Sequence, residues 1–317
     1  MNRHIGRADT HIHTFHGKHG DSYLSPEHVA EIYRQMNLRM LDKRRRLARH
    51  VIAITDHDTL EGALRILEYV YRQSMSEQEI YPKIVTGEEV TSLEGHIIGL
   101  YLKQHVPDKM SASETIAAIK EQGGLAVAPH PFTLLVLPFV GFGGEGMHYK
   151  GVGRKIFTLP FDAVEVINAP YTQTVANYWT KFLLAGYSVW HGKKPFAVLG
   201  ASDLHFPVGA TAYTKFRGTS PEDLYRAISS RKTKARGRAY GIPTLITGYE
   251  QCLSMYPSLV ERCAEKKLPG LKSWDEMVPS NILNAIQYIS ETRGHPRRYL
   301  HQHVAYAARI STMLLGL

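Results

Sequence analysis

Short apolar runs in this chain meet a histidine or a carboxylate at one end, and that pattern restricts the fold more than any other feature. "VIAIT" (51–55) is followed by Asp56, His57 and Asp58. "IVTGEE" (84–89) ends in Glu88 and Glu89, and "HIIGLYL" (96–102) opens on His96. "LAVAPH" (125–130) closes on His130, and "FAVLGASD" (196–203) leads to Asp203 and His205. With "FDAVEVINA" (161–169) these runs have the length and the β-branched content of buried strands. Helix signatures separate them. "SPEHVAEIYRQMN" begins with Ser25 as cap and Pro26 in the first turn, "SPEDLYRAISSRK" repeats that opening at Ser220, and "SASETIAAIKEQGG" stops at Gly123-Gly124. Strand then helix, repeated, predicts a parallel α/β architecture, as a barrel or an open sheet.

In such folds the C-terminal strand ends gather on one face, where sites form. His11 and His13 in "DTHIHT" stand two apart, so on an extended strand both imidazoles point to one side. A lone pair of this kind is commonplace. Six segments that all bring His, Asp or Glu to strand ends are not, because buried acids rarely go unpaired. Imidazole and carboxylate without thiolate suit Zn, Mn or Fe(II). The candidate ligands outnumber one tetrahedral site, so two or three divalent ions are expected, placed to clamp an anionic group.

Composition narrows the setting. The 317 residues carry 38 Lys+Arg against 29 Asp+Glu, a net charge of +9 that favours anionic partners, phosphates or nucleic acid. "KRRRLARH" (43–50) and "RKTKARGR" (231–238) supply much of it and read first as solvated faces. The two cysteines, Cys252 and Cys263, make no disulfide framework. With no apolar leader at the start, a cytoplasmic protein is expected. "FTLLVLPFVGFGG" (132–144) is too short to span a bilayer and reads as a loop or lid, with peripheral membrane contact as a second reading. Residues 240–317 read as helices without strands, a helical extension after a barrel of residues 1–239. His301 and His303 lie there on a predicted helix, where positions two apart do not face each other. There is no P-loop, no G-x-G-x-x-G and no serine or cysteine nucleophile motif.

In order, "DTHIHT", "GDSYLSPEHV", "ITDHDTLEG", "TGEEV", "HIIGLYL", "APHP", "DAVEVINA" and "GASDLH" resemble the motifs of the PHP (polymerase and histidinol phosphatase) superfamily over roughly residues 5–236. The resemblance implies a distorted (β/α)7 TIM-like barrel with a trinuclear metal site. Carried over by position, it implies as ligands His11, His13, Asp21, His57, Glu89 (rather than Glu88), His96, His130, Asp203 and His205. Asp9 is expected to orient an imidazole from behind, and Asp56 and Asp58 either do the same or cap the following helix. Two departures stand out. The segment between His13 and Asp21 is long and adds His16 and His19, read as loop residues or substrate contacts, and Ser22 replaces a glycine.

The implied activity is hydrolysis of phosphoesters, small phosphorylated metabolites or nucleotides, by a metal-bridged hydroxide. His57 takes part in catalysis, and His205, Asp58 or a metal-bound water protonates the leaving oxygen. Arg154 and Lys155, in the Gly-rich insertion after His130, and Arg217, after the last ligand pair, are candidate phosphate contacts. Two readings compete: a 5'-3' exonuclease or RNase on single-stranded ends, and a non-catalytic metal-binding module. Histidinol phosphatase is a narrower enzymatic option.

Overall fold

Nine strands curl into a nearly closed barrel in the computed structural model. They are β1 (Ile5–Asp9), β2 (His50–Ile54), β3 (Lys83–Ser92), β4 (Gly95–Leu100), β5 (Leu125–Ala128), β6 (Ala163–Asn168), β7 (Ala197–Ala201), β8 (Ala212–Arg217) and β9 (Lys234–Gly237). Their order is β7-β6-β5-β4-β3-β2-β1-β8-β9. Helices α1 (Pro26–Asp42), α2 (Glu61–Tyr71), α3 (Met75–Gln78), α4 (Ala112–Glu121), α5 (Thr174–His191) and α6 (Pro221–Ser229) fall between them. The structure describes residues 5–20, 22, 24–42, 50–133, 151–170, 173–192, 195–207 and 210–240. These lie in one compact unit. Asp21, most of the basic run at 43–50, most of the apolar run at 132–144, both cysteines, His301, His303 and the expected helical extension beyond Tyr240 lie outside the described residues.

Pairing directions put β1, β2, β3, β5, β6, β7 and β9 one way, and β4 and β8 the other. The uniform-direction repeat is the expected barrel. The reversals are its distortion, and the first has a local cause. Only Leu93 and Glu94 separate β3 from β4. A parallel crossover needs about a dozen residues or more, so these two strands form an antiparallel hairpin. Across the seam, Thr233 Oγ1 donates to Val198 O (2.9 Å) and Gly200 N to Thr214 Oγ1 (3.0 Å), which brings β8 and β9 against β7.

Local sequence explains the helix starts. Ser111 and Ser220 each close a capping box, with Glu114 and Asp223 three residues on, and Pro221 fills the first turn of α6. Ser25 Oγ accepts from His28 N (3.1 Å) at the start of α1. Alternation along the strands then sorts the side chains. Ala8, Val51, Ala53, Val85, Val127, Ala163, Ala197 and Leu199 pack together. A second layer, Ile12, Ile52, Ile54, Val29, Tyr33 and Ile66, lies under α1 and α2. A third, with Ile116, Ile119, Val164, Val166 and Leu184, lies under α4 and α5.

Two expected strand ends differ in position. His11, Ile12 and His13 follow β1 rather than end it, and Ile12 makes only an isolated bridge to Leu204. Glu88 and Glu89 lie inside the ten-residue β3, which runs on to its hairpin with β4.

Candidate metal centre

Period two carries functional side chains onto the barrel's inner face. Val85 lies in the inner cluster, and four residues on along β3 comes Glu89; Glu165 follows Ala163 on β6 by two; His57 and Asp203 continue the parity of Ala53 and Leu199. Glu88, on the opposite face, accepts instead from His105 Nδ1 (2.8 Å) and Val106 N (2.6 Å). All four inner residues are buried.

The donors converge. His11 Nε2 and His13 Nε2 are 3.0 Å apart. They stand 3.1 and 3.2 Å from Glu89 Oε2 and both 3.3 Å from Asp203 Oδ1. Four donors on a tetrahedron around an ion at about 2.0–2.1 Å are separated by about 3.3 Å, so this set has the spacing of a divalent site. The other oxygen of Glu89, Oε1, faces His96 Nδ1 (3.0 Å) and His130 Nε2 (3.1 Å). One carboxylate therefore serves two donor sets. His13, His57 and His205 form a third, with the ring of His13 stacked 4.6 Å from that of His57 and 4.2 Å from that of His205.

His19 joins this cluster from its half-exposed edge. Its ring stacks 3.9 Å from that of His57, and Nε2 lies 3.8 Å from Asp58 Oδ2. His19, His57 and His96 bring a ligand atom each within 4.8 Å of one another. His16 instead packs its ring on Phe15 at 4.6 Å.

Electrostatics follow from burial and proximity. Burial disfavours a charged His11, but Asp203, Glu165 and Glu89 outweigh it and hold its pKa well above the usual imidazole value. The same contest, with hydrogen bonds to Asp203 and Glu89, carries His13 up to about 10. His130 is raised as well, against its burial, by Glu89 and Asp203. Burial works against charge on Glu89 and Asp203 too, yet the surrounding histidines hold both carboxyls well below their usual range. The carboxylates favour positive charge at their centre, supplied by protons or by cations. The residues present fit cations. Nε2 of buried His96, the ring atom that does not face Glu89, is in no hydrogen bond. Buried polar atoms left so are rare and require an explanation such as an ion.

The supporting shell departs from expectation. Asp9 turns away from the imidazoles: Oδ1 accepts from Ser202 N (3.0 Å) and Oδ2 from Tyr33 Oη (2.5 Å). Burial pushes its carboxyl up to about 6. The carboxylate behind His11 is Glu165, whose Oε1 meets Nδ1 at 2.9 Å while Oε2 accepts from His130 N (3.1 Å) and Asn168 Nδ2 (3.0 Å). Nothing in "DAVEVINA" marked it except its place two residues along the strand from Ala163. Asp56 holds the loop after His13 through Thr14 N and Thr14 Oγ1. Asp58 accepts from Thr91 N (2.6 Å). Neither caps α2, whose capping position is Leu60. Ser22 Oγ donates to His13 O (2.9 Å), so the serine in place of glycine ties the loop to the site. Asp58, His130 and Asp203 hold positive φ (54°, 25° and 49°), a conformation costly for non-glycine residues and concentrated at functional positions.

Of the expected phosphate contacts, Lys155 is exposed on the 3-10 turn Gly153–Phe157, its Nζ 2.8 Å from Glu94 Oε1, and Arg154 is exposed beside it. Arg217 pairs with Ile5, at the end of β1 opposite the ligands, so it does not reach this cluster.

No family model matches the chain. The uncharacterized protein MJ1587 of Methanocaldococcus jannaschii is 33% identical over 179 residues, 54% of this chain and 86% of that one. The chain belongs to the same family as MJ1587. A second protein of that organism, uncharacterized protein MJ0417, is 38% identical over 145 residues, 44% of this chain and 55% of its own length. Among solved structures, a two-domain protein from Bacteroides vulgatus containing a predicted PHP-like metal-dependent phosphoesterase superposes with a TM-score of 0.50 at 16% identity. The chain shares its barrel fold with that structure. The superposition covers 74% of this chain and 66% of that structure, so parts of both chains lie beyond the shared fold.

Proposed function

We propose that the chain is a metal-dependent phosphoester hydrolase acting on phosphorylated small molecules or nucleotides. The observation that carries this reading is Glu89, whose two carboxylate oxygens face separate sets of histidines, Oε2 facing His11, His13 and, at 3.5 Å, His57, and Oε1 facing His96 and His130. A carboxylate so shared suits adjacent divalent ions, Zn, Mn or Fe(II). His11, His13, Glu89 and Asp203 would hold one, Glu89, His96 and His130 a second, and His57 and His205 a third with Asp21. His19, stacked on His57, stands where it can add to that third set or meet substrate. When bound, such ions supply an acidified water and neutralise the phosphoryl oxygens.

The chain's own groups do the rest. Glu165 fixes the tautomer of His11 by accepting at Nδ1, which turns Nε2 toward the centre. Asp203 O, 3.0 Å from His205 Nδ1, does the same for His205, and its Nε2 is then the Lewis base. Asp56, through Thr14, and Ser22, through His13 O, fix the loop that carries His13. With both nitrogens of His205 so engaged, Asp58, whose Oδ2 lies 3.8 Å from His19 Nε2, is the group we assign to pass a proton to the leaving oxygen. Arg154, beside Lys155 and its Glu94 partner, is the cation we assign to the substrate's remaining charge.

The test is metal analysis of the purified protein followed by assays on p-nitrophenyl phosphate, histidinol phosphate and nucleoside mono- and bisphosphates. His57→Ala and Asp203→Ala are expected to lower kcat/KM at least about a thousandfold with unchanged circular dichroism. Full activity in either variant would refute the assignment.

A further inference from the structure

Outside the metal centre the barrel carries a second concave surface. A groove of about 440 Å³ runs between α5 and the seam where β9 meets β6 and β7, lined by Val166, Ile167, Val198, Lys181, Lys234 and Arg236 among others, with no carboxylate in its lining. Lys234 and Arg236 stand two apart on β9, so alternation sends both cations to one face, and Lys181 reaches in from α5. All three are exposed, and none has an ion pair among the described residues.

A row of large apolar side chains adjoins them. Val175, Tyr178, Trp179, Phe182, Val189 and Trp190 follow helical spacing along α5 and are 47–87% exposed. Such a face is ordinarily buried. Trp179 and Phe182 stack at 5.6 Å and 21°, and Lys181 Nζ lies 5.7 Å from the centre of the Tyr178 ring. Lys181 thus belongs to both features, lining the groove and touching the aromatic row.

We propose that this surface binds single-stranded nucleic acid, the phosphates following Lys181, Lys234 and Arg236 and unstacked bases resting on the rings of α5. Cations in a groove beside sequence-tolerant stacking platforms are what a single strand needs. A bilayer would instead take a continuous apolar face with its cations spread around the rim. The chain's net charge of +9 favours the same partner. The site is separate from the metal centre and does not rest on the hydrolase reading.

Fluorescence anisotropy with labelled single-stranded RNA and DNA 12-mers and the matching duplex tests it, with oligonucleotide integrity checked on denaturing gels. Lys181→Glu/Lys234→Glu/Arg236→Glu is expected to weaken single-strand binding at least tenfold and to reduce the slope of log affinity against log salt by about two, at roughly 0.7 for each phosphate no longer neutralised. Trp179→Ala/Phe182→Ala is expected to weaken binding about tenfold with the slope unchanged. Both replace exposed side chains, so p-nitrophenyl phosphate turnover and circular dichroism should stay at the parent's values. Affinities within twofold of the parent in both variants, tighter binding of the duplex, or binding of phosphatidylserine vesicles but not of the oligonucleotides would each overturn the proposal. A parent without turnover would count against the hydrolase reading alone.

Discussion

His11 meets a carboxylate at each nitrogen, Glu165 at Nδ1 and Glu89 at Nε2, and the two are not equivalent. Glu89 shares its oxygens with five histidines, while Glu165 meets the cluster through His11 and the backbone of His130. Glu165→Gln keeps the shape and removes the charge. We expect it to weaken metal binding about 10- to 100-fold, the usual effect of losing a partner behind a ligand. Competition with a fluorescent chelator measures this directly, and affinity within twofold of the parent would show Glu165 to be a packing residue. His50 offers a titration away from the centre. Burial and then Arg7 depress it to about 4, and Asn37 Oδ1 accepts from its Nδ1 at 2.7 Å. The unfolded chain protonates this ring near 6.5, the folded chain only near 4. Between those values the unfolded state binds more protons, so stability falls as pH drops through the window, by roughly 3 kcal/mol in all. Urea melts at pH 7 and pH 4.5 should show that loss in the parent and a smaller one in His50→Gln.

Sequence and structure part company at the level of elements, and the reason is the strand. The runs containing β2, β5 and β7 were legible because a strand buried on both faces is apolar on both. The antiparallel hairpin of β3 and β4 was not, because its residues look the same in either direction and only the two-residue turn betrays it. β8 and β9 were missed because alternating Tyr213, Lys215, Lys234 and Arg236 read as polar, solvated chain. The clustering of His and Asp beside strand ends was legible, but a carboxylate in mid-strand carries no mark of which face it takes: Glu89 was chosen over Glu88 only through the resemblance, and Glu165 was not marked at all. The start of α2 shows how an element serves the site. Gly62 lies in its first turn against the Asp56 carboxylate and the Thr14 hydroxyl, and a Cβ there would overlap both. Helix propensity alone would make Gly62→Ala stabilising by about 1 kcal/mol. Overlap with two buried polar groups reverses that sign. The variant should lower stability by about 1–3 kcal/mol and also reduce kcat, because the Thr14–Asp56 clamp holds the loop carrying His13. A rise in melting temperature would mean the clamp yields at no cost.

For the whole molecule, the metal centre is also a structural problem. Seven described histidines, His11, His13, His19, His57, His96, His130 and His205, crowd around Glu89 and Asp203 where several strands converge. Without a cation, burying these groups is costly unless protons balance the carboxylates, which is why His13 sits near 10 and Glu89 and Asp203 sit low. The unfolded chain has no such convergence, so divalent ions bind the folded state preferentially and stabilise it by mass action. At free metal a thousandfold above its dissociation constant, one site contributes about 4 kcal/mol. For a domain of this size that corresponds to a rise on the order of 10 °C in Tm. Calorimetry of chelator-treated protein, then with Zn or Mn added back, should show a shift of that order. Binding must also displace protons from His11, His13 and His130, so the shift should shrink as pH falls, because protons and metal compete for the same nitrogens. His57→Ala should keep most of the shift, since the two sets that share Glu89 remain intact, while Glu89→Gln should lose most of it. A parent whose Tm ignores both chelator and metal would leave the convergence of these strands without its driving ion.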